Sequence, residues 1–116
     1  MHELGIAMRI AEIATRVARQ EGVTKVDAVL VEVGELSGIV PEALLFSFES
    51  ATKNSFLENS RLEINLISAS AKCSSCQTVF RPEGFFTLCP VCEGVDSEII
   101  SGKELFIKSL VSENGK

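Results

Sequence analysis

The chain has 116 residues, a net charge of −5 at neutral pH and a pI near 4.9. This length predicts one domain, or a small domain that carries a metal-stabilised insert. The negative charge argues against general nucleic-acid binding, because phosphate contacts need a basic face. There is no run of about 18 apolar residues for a membrane span, and charged residues interrupt the N-terminal stretch that a secretory leader would occupy. We therefore expect a cytoplasmic protein.

The first part of the chain alternates helical and strand patterns. A wide apolar face at helical spacing is followed by Gly22, a helix stop signal, and a segment rich in β-branched residues comes next. Pro41 suits the first turn of a second helix, and a strictly alternating segment follows that helix. The predicted elements are a helix over 4–20, a strand over 26–33, a helix over 41–53 and a strand over 61–68.

The segment Gly34–Gly38 lies between the first predicted strand and the second predicted helix. Its two glycines allow the chain to turn, and Glu35 is then a solvated side chain. The same segment could instead form a docking loop for a partner protein. The residues alone leave both interpretations open.

All four cysteines lie in one segment, as two Cys-x-x-Cys pairs with twelve residues between them. This spacing is typical of a structural Zn²⁺ site, in which four thiolates surround one tetrahedral ion and leave no position for water or substrate. The predicted ligands are Cys73, Cys76, Cys89 and Cys92. A disulfide framework is less compatible with a reducing cytoplasm, whereas a rubredoxin-like iron site is an alternative because Cys-Pro-x-Cys pairs also hold iron.

The cysteine segment has few residues with which to build a core of its own. We expect Phe80, Phe85 and Phe86 to form a small core there rather than a docking patch. A last strand is predicted over 103–111. The predicted fold is α+β, a small α/β arrangement in which a three-stranded sheet carries two helices and an inserted Cys₄ zinc-knuckle module. Two domains are predicted. Residues 1–69 and 96–116 form an α/β domain, and residues 70–95 form a zinc-binding domain.

The only histidine is residue 2. The Met1 α-amine, the backbone nitrogens of His2 and Glu3 and the His2 imidazole could close fused chelate rings in one plane, an arrangement that favours Ni²⁺ or Cu²⁺. We expect the Glu3 side chain to be free to add a carboxylate or to orient a ligand. A simpler interpretation is that His2 is merely polar and that Glu3 interacts with the helix dipole. These residues alone do not decide between the metal site and the simpler interpretation.

Three motifs together resemble the HypA/HybF family of nickel metallochaperones for hydrogenase maturation. They are Met1–Leu4 at the start, Val33–Gly38 after the first strand, and the paired Cys-x-x-Cys knuckles, in this order over essentially the whole chain. Two departures from the family pattern are visible. Glu93 stands where relatives commonly continue Cys-Pro-x-Cys with glycine, and Leu57–Ser60 replaces a Glu-Gly-Ala segment. Neither departure removes a predicted ligand.

The resemblance implies a protein that binds Ni²⁺ as cargo through Met1, His2 and Glu3, with structural Zn²⁺ on the four cysteines. It implies delivery to a [NiFe]-hydrogenase large-subunit precursor with the help of a HypB-like maturation GTPase. In some bacteria of this family urease is also supplied, which implies urease accessory proteins as further partners. Both monomers and homodimers occur in the family, so the oligomeric state stays open.

Two other classes of protein compete with this interpretation. An enzyme is not expected, because a single histidine at a chain end makes no Ser–His or Cys–His pair and no phosphate-binding glycine loop is present. A zinc-ribbon adaptor without nickel chemistry is the stronger alternative. An adaptor of this kind is expected to have a basic or aromatic binding face. The cysteine segment instead has two basic residues, Lys72 and Arg81, and three acidic ones, Glu83, Glu93 and Asp96.

Overall fold

The computed structural model describes residues 3–82 and 88–112, which form two helices and two three-stranded sheets. The five elements predicted from periodicity are confirmed, each to within two residues at either end. None of the described helices combines the length and apolarity needed to cross a bilayer. In chain order the elements are α1 (Glu3–Gln20), β1 (Ala28–Gly34), α2 (Pro41–Thr52), β2 (Arg61–Ile67), β3 (Ser70–Cys73), β4 (Val79–Phe80), β5 (Ser97–Ser101) and β6 (Leu105–Val111).

The first sheet has β1 at its centre, with β2 on one side and β6 on the other. β1 and β2 are parallel and in register, with Val29 opposite Leu62 and Val31 opposite Ile64. Parallel neighbours need a crossover, which α2 supplies. β6 returns antiparallel to β1 with a register shift between Leu30 and Val31.

The main core lies between the two helices and one face of this sheet. On α1 the buried positions are mostly alanines, whose small side chains let the helix approach its neighbours closely. The apolar face of α1 is narrower than the sequence suggests, since Leu4 and Val17 are exposed. Leu45 of α2 is exposed as well. The buried residues of this core are Ala7, Ile10, Ala14, Ala18, Val26, Val29, Val31, Val33, Leu44, Phe48, Leu57 and Leu62.

Sequence analysis missed the second sheet, in which β3 pairs antiparallel with β4 and with β5. Its strands have two to five residues, too few for an alternating pattern to stand out. Phe80 belongs to the small core of this sheet, as predicted, whereas Phe85 and Phe86 lie outside the described residues. The buried members of this second core are Ala71, Cys73, Phe80 and Cys89.

Strand β5 pairs with the cysteine segment, although it lies beyond the predicted limit of that segment. The sequence boundary at residue 95 assigned 97–101 to the first domain, but Ser101 is paired with Ser70 and Ser97 with Cys73 of β3. With five residues and no alternation of polar and apolar side chains, β5 was not recognised as a strand. We call residues 3–67 and 105–112 the helix–sheet unit, and 70–82 with 88–101 the cysteine unit. That these units are separate domains stays a prediction.

The two units meet where β1 ends. A Cβ atom on Gly34 would lie 2.1 Å from the carbonyl carbon of Gly102, so only a residue without a side chain permits this backbone approach. Gly102 has φ +111°, a conformation that favours glycine, and its own Cβ would lie 2.7 Å from Ala69 Cα. The junction is therefore built from backbone packed against backbone.

We expect Gly34→Ala to lower the free energy of unfolding by about 1–3 kcal/mol, the cost typical of overpacking a rigid site. The matched control is Gly5→Ala in α1, where an added Cβ meets nothing within 4 Å. That change should be neutral or stabilising by up to about 1 kcal/mol, because alanine is the better helix former. Urea unfolding followed by circular dichroism measures both, and equal effects would contradict the close approach.

Candidate metal centres

The four cysteine side chains converge on one point. All four Sγ atoms lie within 4.8 Å of one another, with Cys73 to Cys92 at 3.5 Å and Cys76 to Cys89 at 3.6 Å. A tetrahedral ion with metal–sulfur bonds of about 2.3 Å separates its sulfurs by about 3.8 Å. The donor set therefore fits a single tetrahedral ion, and the structure brings together all four predicted ligands.

The two Cys-x-x-Cys knuckles share one backbone geometry. In the first, the Gln77 N–H donates to the Cys73 carbonyl at 2.9 Å, and in the second the Glu93 N–H donates to the Cys89 carbonyl at 2.9 Å. Gln77 and Glu93 have φ of 69° and 61°, in the left-handed region that favours glycine. The departure at Glu93 thus puts a side chain on a strained turn, but the turn itself is the same as in the first knuckle.

Hydrogen bonds prepare two of the sulfurs for ionisation. The backbone N–H groups of Cys76 and Ser75 lower the pKa of Cys73. The Thr78 hydroxyl, 3.1 Å from Cys76 Sγ, is the main cause that lowers the pKa of Cys76 to about 6. Such bonds favour the thiolate, the form that binds metal.

The pKa of Cys92 is shifted in the opposite direction. The Gly94 N–H lowers it, but the hydrogen bond shared with Cys73, burial, and the hydrogen bonds shared with Cys76 and Cys89 outweigh this and raise the pKa to about 12. Four thiolates this close repel one another unless a positive ion lies between them. Soft sulfur ligands in a tetrahedron suit Zn²⁺ or iron.

We expect metal-free protein to bind one Co²⁺ per chain, with the thiolate-to-cobalt absorption of a tetrahedral sulfur site. Replacing both Cys73 and Cys76 by serine should abolish this absorption, because only two sulfurs remain. Ser74→Ala, between them in the same turn, should leave the absorption and the stoichiometry unchanged. Retention of the full signal in the double variant would place the ion elsewhere.

At the other candidate centre, Met1 and His2 lie outside the described residues, and Glu3 begins α1. The Glu3 carboxylate accepts a hydrogen bond from the Val40 N–H at 3.1 Å. Val40 is the N-cap of α2, so a negative charge sits where that helix dipole is positive. The expectation that this side chain is free is therefore wrong. No local pattern could have revealed a contact between residues 37 apart in sequence.

The predicted loop Gly34–Gly38 also makes side-chain contacts, through Glu35. Glu35 accepts a hydrogen bond from the Ala69 N–H at 2.8 Å through one oxygen and binds the Arg81 guanidinium through the other. The Arg81 hydrogen bond, and then the Ala69 N–H, hold the pKa of the Glu35 carboxyl below its usual range. Glu35 is thus not simply solvated.

The chain matches, over residues 1–112, the family model described as HypA, a metallochaperone of hydrogenase and urease nickel incorporation. This chain belongs to the HypA family. It is 38% identical to the hydrogenase maturation factor HypA of Geotalea uraniireducens and 39% identical to that of Geobacter metallireducens. Both alignments run over 113 residues, covering 97% of this chain and 100% of the relative.

Solved HypA structures confirm the fold. A solution structure of a HypA protein superposes with a TM-score of 0.72 at 24% identity and covers 95% of this chain and 94% of the other. The solution structure of the Ni metallochaperone HypA from Helicobacter pylori superposes with a TM-score of 0.67 at 24% identity. It covers 95% of this chain and 96% of the other. Family membership makes the chain a maturation factor of the nickel-incorporation class that works with the hydrogenase maturation machinery, and not an enzyme.

Proposed function

We propose that this chain binds Ni²⁺ at its N-terminus and delivers it to a [NiFe]-hydrogenase large-subunit precursor. The observation that carries the proposal is the match to the nickel-incorporation family over residues 1–112. The nitrogen-rich start of the chain supports it, since His2 is the only histidine and follows Met1 directly. A planar set of nitrogen donors is the arrangement that Ni²⁺ favours.

In this proposal the ligands are the Met1 amine, the His2 imidazole and backbone nitrogen, and the Glu3 backbone. The Glu3 carboxylate already accepts the Val40 N–H, so we assign it the task of fixing the start of α1 against the start of α2. This separates two roles within one residue, because the backbone faces the cargo while the side chain positions the helix.

The cysteine cluster has the structural role. Zn²⁺ would neutralise the four thiolates and join the two knuckles, while Cys73 and Cys89 themselves belong to the small core around it. With all four positions taken by sulfur, the site offers no place for cargo. Nickel binding and zinc binding are therefore assigned to different segments of the chain.

The proposed partners are a HypB-like GTPase, the hydrogenase precursor and, where urease is present, its accessory proteins, all in the cytoplasm. Membership of a hydrogenase maturation family supports the hydrogenase partner. The sequence carries no phosphate-binding glycine loop, which supports a partner as the source of nucleotide chemistry.

We expect the zinc-loaded chain to bind one Ni²⁺ at its N-terminus when it starts at Met1 and carries no nickel beforehand. One extra residue before Met1 should weaken binding tenfold or more, about 1.4 kcal/mol, because it moves the α-amine out of the chelate. A matched chain with one extra residue after Lys116 should bind like the original. Calorimetric titration of the three proteins measures this.

Three outcomes of that titration are distinct. Loss of affinity in the N-terminal extension alone supports the terminal chelate. Equal nickel binding by all three chains would place the ion elsewhere and contradict the assigned ligands. No binding by any of them would favour a zinc-ribbon adaptor without nickel chemistry.

Delivery needs its own test. The chain loaded with radioactive nickel should transfer the label to purified hydrogenase precursor in the presence of the maturation GTPase and GTP. His2→Ala should transfer little, because it loses an imidazole ligand, whereas Gln20→Ala at the other end of α1 should transfer normally. Equal transfer by His2→Ala, or by free nickel at the same concentration, would contradict chaperone delivery.

A further inference from the structure

We propose that Glu35 is a clasp that fixes the orientation of the cysteine unit on the helix–sheet unit. The clasp is the Glu35 carboxylate together with the two groups it binds, the Ala69 N–H and the Arg81 guanidinium. The clasp is a property of this fold, and it does not depend on which metal the N-terminus or the cysteine cluster binds.

The two units are joined covalently by two short connections, residues 68–69 and 102–104. Two such connections still permit rocking about the line between them. Arg81 follows β4, an edge strand of the second sheet, and lies 46 residues from Glu35 in sequence. Arg81 follows Phe80, which pairs with Ala71 just after the first connection, and Glu35 also binds the Ala69 N–H of that connection. The contact with Arg81 therefore ties the edge of the second sheet to the loop beside the first connection, and this restrains the rocking.

The backbone around Glu35 holds its carboxylate in place. The Glu35 N–H donates to the Ile67 carbonyl at 2.8 Å, and the Leu36 N–H donates to the Gly102 carbonyl at 2.6 Å. The residue before Glu35 is the glycine that packs on Gly102. Because the loop is bonded to the chain at both connections, the carboxylate is preorganised and little freedom is lost when Arg81 binds.

The ion pair is exposed, with 60% of the Arg81 side chain and 41% of the Glu35 side chain accessible. Exposed pairs add little to global stability, so the clasp should affect orientation more than unfolding. The Arg81 hydrogen bond and then the Ala69 N–H lower the pKa of Glu35, which favours the carboxylate form that binds both groups. Because the molecule is 54 Å long, a small rotation at the junction displaces its far end considerably.

The chain offers a matched control for this pair. Arg61 and Glu63 form an ion pair at 2.9 Å whose side chains are 61% and 49% exposed, but both residues belong to β2. Removing Arg61 deletes the same kind of interaction without touching the junction. An effect seen on removing Arg81 but not on removing Arg61 is then caused by the position of the Arg81–Glu35 pair at the junction.

The experiment measures residual dipolar couplings of backbone amides in the full, metal-loaded chain. We expect one alignment tensor to fit both units in the unmodified chain and in Arg61→Met. In Arg81→Met each unit should still fit its own tensor, but the two tensors should differ, with the melting temperature within about 2 °C of the unmodified chain. Arg81→Lys, which keeps the charge, should largely restore the common tensor.

A second variant keeps the proposal falsifiable if Arg81→Met folds poorly. Glu35→Gln retains an oxygen to accept the Ala69 N–H but loses the charge, and it should also separate the two tensors. The proposal is overturned if either folded variant keeps one common tensor. It is likewise overturned if Arg61→Met separates the tensors to the same extent, since the effect would then be a general response to lost surface charge.

Discussion

The close packing of Gly34 against Gly102 is the constraint on which the arrangement of the molecule depends. β1 is the central strand of the main sheet, and its last residue must pass the second chain connection with no side chain between them. That position fixes where the following loop starts. The loop then reaches the cysteine unit through Glu35 and ends at Val40, the residue whose N–H binds Glu3. One strand end thus positions contacts to the cysteine unit and to the start of α1.

The two units differ in how they obtain their stability. The helix–sheet unit buries a core of twelve residues between two helices and a sheet. Among its described residues the cysteine unit buries four, and two of them are the proposed ligands Cys73 and Cys89. A core this small rarely folds a segment by itself, so we expect metal binding and folding to be coupled there. Because the same side chains are core residues and proposed ligands, we expect the second sheet to need a bound ion.

Sequence reasoning succeeded where the determining pattern is local. Helical and strand periodicity located five elements, and the spacing of two residues within each cysteine pair located the thiol cluster. The three short strands were missed because their pairing depends on neighbours brought together by the cluster. The partners of Glu3 and Glu35 were missed for a related reason. They lie 37 and 46 residues away, and a charged residue carries no mark of the group it will meet.

The thiol cluster has an inner and an outer pair. Cys73 and Cys89, the first cysteines of the two knuckles, are buried, whereas Cys76 and Cys92, the second cysteines, are accessible from solvent. In a metal-loaded chain, a chelator or oxidant would therefore meet the second cysteines first. Once both were displaced, each knuckle would still hold the ion through its inner sulfur. Ligand exchange would thus proceed stepwise from one side, and the unit would stay closed until the inner bonds break.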